Sequence, residues 1–111
     1  MRYFIFAVAL TFCGSVASAI DMPDLAKKRN CPRCHAIDKK IVGPSWLDVA
    51  KRYKRNEEAP LFLANKIWQG GFGVWGPVPM PEQHVSNEEA KKLAKFILEL
   101  PIDRPIDVSR R

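Results

Sequence analysis

Cys31-Pro32-Arg33-Cys34-His35 constrains this chain more than any other stretch. Two residues separate the thiols, and a histidine follows the second at once. Within a single helical turn this spacing brings both sulfurs to one side, where they can add across the two vinyl groups of one porphyrin. The histidine then lies over the ring and can offer an imidazole nitrogen to iron. The five residues read as the attachment site of one covalent haem c, with Cys31 and Cys34 as thioether anchors and His35 as a metal ligand.

Two other chemistries use similar residues. A thioredoxin-type dithiol needs a buried strand before the motif, and Ala26-Lys27-Lys28-Arg29-Asn30 cannot form one. A zinc site would need Cys31, Cys34, His35 and the only other histidine, His84. Zinc motifs usually pair their ligands at short spacing on both halves, and His84 stands alone.

The chain has 111 residues, enough for one small domain. Met1-Arg2, the apolar run Tyr3 to Cys13 and Ala17-Ser18-Ala19 read as a cleavable export signal covering residues 1–19. The apolar run is too short to span a bilayer, so no stable membrane insertion is expected. Phe12 before Cys13 argues against a lipoprotein. Cleavage after Ala19 removes Cys13 and leaves Cys31 and Cys34 as the only thiols. In an oxidising compartment such a close pair would otherwise form a small strained disulfide loop. Cleavage also removes Arg2, so 17 Lys and Arg face 12 Asp and Glu, a net charge of +5. That balance suits steering towards an acidic protein partner. Export and the absence of one long basic run argue against nucleic acid.

Every regularly spaced segment reads as helix. Pro23 to Arg29 is a short first helix running straight into the cysteine motif. Ser45-Trp46-Leu47-Asp48 is a capping-box pattern opening a second, with Trp46, Ala50 and Tyr53 on one face. Pro60 starts a third, with Leu61, Ala64 and Trp68 on one face, Leu63 and Ile67 on another, and Gly70-Gly71 at its end. Ser86-Asn87-Glu88-Glu89 caps the last, where Ala90, Leu93, Ala94 and Ile97 keep the helical period and Val85 can staple onto Ala90. The expected fold is all-α, about four short helices wrapped around one covalent haem over residues 20–100. A core this thin needs such a staple, so the apoprotein is expected to fold poorly. Residues 101–111 form an extension, either disordered or lying on a partner.

Between the third and fourth helices, Gly70 to Pro81 is too rich in Gly and Pro for regular structure. Its prolines would present Met80 in a pre-set extended conformation. A thioether is a soft, neutral ligand suited to haem iron. Met22 lies too close to the cysteine motif to reach the opposite face of the ring. His84 lacks a rigid presenting loop. Met80 is therefore the expected second metal ligand.

Over roughly residues 25–98 the chain resembles the short monohaem class I cytochromes c of bacteria, the periplasmic c-551 type. The resemblance rests on Cys31 to Asp38, on Val42-Gly43-Pro44 and on Gly73 to Pro81. It implies that the Pro44 carbonyl accepts the second imidazole N–H and that Trp75 donates to a haem propionate. It also implies that Lys66 offsets the propionate charge. Gln83 stands where the family often has an asparagine bonded to the methionine sulfur. The implied function is one-electron transfer between respiratory redox proteins docking at the haem edge, rather than enzymic catalysis. A subunit of a dehydrogenase or oxidase complex is the alternative. A small peroxidase or a gas-binding module would need an open iron position, against which Met80 argues.

Overall fold

The computed structural model describes residues 8–11, 14 and 19–107. Most of the expected export signal falls outside them, as do the last four residues of the extension. Among the described residues there are four α-helices and no strand, only two isolated backbone bridges. The helices are α1 Asp24–Lys28, α2 Trp46–Tyr53, α3 Ala59–Gln69 and α4 Asn87–Leu98. None of the described helices is long and apolar enough to cross a membrane.

α4 is the spine. The Ser86 hydroxyl accepts from Glu89 N–H at 3.1 Å, and the Glu89 carboxylate accepts from Ser86 N–H at 3.1 Å, which completes the expected capping box. Ala90, Leu93, Ala94 and Ile97 are buried as their period requires. α3 packs most extensively along α4, and α2 and α1 cover less of it. Leu93 is only 1% exposed. Burying such a side chain stabilises the fold by about 1.5–3 kcal/mol.

Three local expectations are corrected. First, α1 does not run straight into the cysteine motif. It ends at Arg29, Asn30 turns left-handed at φ 61°, and Cys31–Arg33 then form a separate 3-10 turn. An asparagine tolerates that backbone better than most residues. Second, Ser45 caps α2 by accepting from Asp48 N–H at 3.0 Å, but no reciprocal bond returns from Asp48. Aspartate is one methylene shorter than the glutamate that closes the α4 box. Third, α3 buries Ala59, Leu63, Ala64 and Ile67, while Leu61 and Trp68 lie 65% and 45% exposed. The face expected from Leu61, Ala64 and Trp68 is thus split, because α4 can cover only one side of the helix.

The extension follows the core as far as it is described. Ile102 and Ile106 are half-buried against it, and the Asp107 carbonyl accepts from Ile20 N–H at 3.0 Å. Lys54 Nζ, beyond the end of α2, donates to the Leu100 carbonyl at 2.6 Å and pins the chain where the extension begins.

Candidate functional site

The site is built from two loops. The first runs from the 3-10 turn to α2. Cys34 N–H and His35 N–H both bond back to the Cys31 carbonyl, at 3.1 and 3.0 Å, so thiols and imidazole share one turn. The two sulfurs are not joined to each other. Burial, the largest influence, pushes the Cys31 thiol above its ordinary pKa. The loop closes when Val42 and Gly43 N–H groups both donate to the Cys34 carbonyl.

That closure sets His35. Its Nδ1 lies 2.8 Å from the Pro44 carbonyl, an acceptor only, so Nδ1 carries the proton and donates. Nε2 is left with its lone pair free for a metal. Burial pushes the imidazole pKa down, against a smaller opposing effect from Pro44, and so favours the neutral form a metal ligand needs. A β-carbon at Gly43 would sit 2.5 Å from His35 Cε1, so only glycine leaves room for the ring. Behind it stands Trp46, with centroids 6.2 Å apart, and Phe96 of α4 meets that indole edge-on at 5.8 Å. Periodicity assigned Trp46 only to a helix face. The clue to its second role was its place two residues after Pro44, on the first turn of a capped helix.

The second loop joins α3 to α4. Gly71 and Met80 exchange both backbone hydrogen bonds, at 3.0 and 2.8 Å, and tie the base of the loop. Gly70 sits at φ 78° and ψ −175°, a conformation essentially reserved for glycine, packed against the Met80 and Pro81 backbone. Met80 is half-buried and packs against the core cluster. Lys66 lays its aliphatic stem along Gly71 and holds its ammonium 5.4 Å from the Phe62 ring. Trp75 meets Tyr53 edge-on at 6.5 Å. Gln83 does not spend its amide on sulfur: Nε2 donates to the Pro81 carbonyl at 2.7 Å. Met22, the other methionine considered, is buried in the core, and His84 is exposed.

These residues suit a covalent haem on their own chemistry. Two unjoined thiols and a tautomer-fixed imidazole share one turn, and a thioether is presented on the other loop. Ile41, Val42, Val74, Trp75 and Val78, all on these two loops, expose apolar side chains. Such a concentration is what a flat apolar ligand requires. Among the described residues no three of His, Cys, Asp or Glu converge as a zinc site would demand.

Comparison with known proteins agrees. Residues 23–101 match the family described as cytochrome c. Cytochrome c-552 of Hydrogenobacter thermophilus is 51% identical over 76 residues, 68% of this chain and 78% of that protein. Cytochrome c-551 of Pseudomonas aeruginosa is 46% identical over 88 residues, covering 79% and 85%. The crystal structure of Nitrosomonas europaea cytochrome c552 superimposes with a TM-score of 0.68 at 48% identity, over 70% of this chain and 98% of that one. The chain belongs to the cytochrome c family, as a small class I member that binds one covalent haem c and transfers electrons rather than catalysing a reaction.

Proposed function

We propose that this chain is a periplasmic one-electron carrier shuttling between respiratory redox proteins. Cys31 and Cys34 would hold the porphyrin by thioether bonds, and His35 and Met80 would supply the ligands to its iron. The observation that carries the reading is the 2.8 Å contact of His35 Nδ1 with Pro44, which leaves Nε2 free to serve as a metal ligand. The haem, when bound, supplies the ferric–ferrous couple. The chain supplies two ligands fixed before any electron arrives, so that little rearranges on transfer. Met80 donates less charge than a second imidazole and so favours the reduced state. With the haem bound, Trp75 would donate to a propionate and Lys66 would offset its charge.

Export is supported by the composition of residues 1–19, and the mature net charge of +5 favours partners with acidic surfaces. Docking at a partly exposed, apolar haem edge would be weak and salt-sensitive, as rapid turnover requires. The alternative role as a subunit of a larger complex is less well supported. Ile102 and Ile106 of the extension are spent on this chain's own core.

Met80→Ala tests the assignment. It should lower the midpoint potential, abolish the ferric sulfur-to-iron charge-transfer band and let the ferrous protein bind carbon monoxide. An unchanged potential would place another residue on the iron.

A further inference from the structure

Trp75 is held by more than its own loop. The Arg52 guanidinium carbon lies 5.2 Å from the centroid of the indole and 5.7 Å from that of the Tyr53 ring. Tyr53 stands between Trp75, at 6.5 Å, and Phe62, at 5.3 Å, and Lys66 closes the row over Phe62. One continuous row thus runs from a cation on α2, through three rings, to a cation on α3. The ligand loop joins it only through Trp75.

Arg52 is exposed and makes no ion pair with a carboxylate among the described residues. No carboxylate ion pair among them neutralises its charge, and it lies over the Trp75 and Tyr53 rings. A planar guanidinium can lie on an indole and keep its edge N–H groups free. The cation and the indole N–H both favour a neighbouring anion.

We propose that Arg52 is a positioning residue: lying over Trp75, it fixes the indole and adds a second positive charge beside the propionate that the indole would serve. The proposal rests on the reading of Trp75 given above. An added positive charge near the iron opposes the further positive charge of the ferric state, so Arg52 raises the potential. Lys66 and Arg52 then act from the two ends of one row.

The test uses the full haem-loaded protein and two readouts, the midpoint potential and the hydrogen-exchange rate of the Trp75 indole N–H by NMR. Arg52→Gln should lower the reduction equilibrium constant about two- to fivefold and speed indole exchange by a similar factor. Arg52→Lys should restore the potential and leave exchange fast, since it keeps the charge but not the planar stack. Arg52 is exposed, so neither change empties a core position. No change in Arg52→Gln, a change in only one readout, or a failure of Arg52→Lys to restore the potential overturns the proposal. Trp75→Phe separates it from its premise. If Trp75→Phe leaves the potential unmoved, the propionate reading of Trp75 fails. If it lowers the potential while Arg52→Gln does nothing, that reading stands and Arg52 alone is ruled out.

Discussion

The two ligand loops are held in different ways. His35 is fixed by its own side chain, through Pro44, and by a loop that closes twice on the Cys34 carbonyl. Trp46 and Phe96 back it from α2 and α4. Both anchoring thiols lie within four residues of it. Met80 is fixed through its backbone, by the Gly71 pair, while the Gln83 amide goes to the Pro81 carbonyl rather than to its sulfur. The histidine loop is thus a rigid seat, and the methionine loop a clasp. Of the two ligands, the thioether is the one whose release costs the fold least.

The largest effect should come from removing the covalent anchors. The double variant Cys31→Ser, Cys34→Ser should leave the mature chain without native-like circular dichroism. Small helical cores of this size rarely stand without a staple. Native-like helicity in that haem-free chain would show that the helices hold both loops unaided.

Paired glycine substitutions sharpen the contrast. Gly43→Ala pushes a methyl into the His35 ring, and overpacking of this kind costs about 1–3 kcal/mol. Gly70→Ala forces a side chain into a backbone conformation that costs a similar amount, about 1–3 kcal/mol, and against peptide atoms that cannot swing away. Thermal melts should fall in both. Only Gly70→Ala should also weaken the sulfur-to-iron charge-transfer band, since it displaces the Met80 backbone. Equal loss of that band in Gly43→Ala would erase the distinction between seat and clasp.

The smallest effect lies away from both loops, where Arg29 bonds Glu89 at 2.9 Å and ties the end of α1 to the start of α4. Arg29 first, and then the Ser86 N–H, hold the Glu89 carboxyl below its ordinary pKa. The folded protein therefore gives up this proton at lower pH than the unfolded chain does. The resulting stabilisation is complete above the ordinary carboxylate range and fades as pH falls through the depressed value. Urea midpoints measured from neutral pH down to about pH 3 should drop less steeply in Glu89→Gln than in the parent. Identical slopes would remove Glu89 from the acid response. Neither result should move the charge-transfer band.

Much of this was legible in the residues. α4 announced itself because a complete capping box and a clean apolar period agree along its length, and the cysteine motif carries its chemistry in five consecutive positions. α3 was harder. Apolar residues surround most of Ala59–Gln69, so periodicity alone could not tell which side α4 would cover. The left-handed Asn30 leaves no mark in a pattern of apolar spacing. The course of the extension was hidden for another reason. Ile102 and Ile106 sit among prolines and charges with no helical or alternating pattern, and what orders them is a distant surface and a bond to Ile20. The row that joins Arg52 to Trp75 was invisible for the same cause, since its members come from separate elements.

The meeting of Ile20 with Asp107 makes the domain nearly a closed ring. A short peptide bridging those two positions would let the polypeptide be reopened elsewhere, for instance in the exposed turn at Arg55-Asn56-Glu57, with both ligand loops uncut. By the same token, a tether pulling at either terminus would load this seam first and reach the metal-binding loops last.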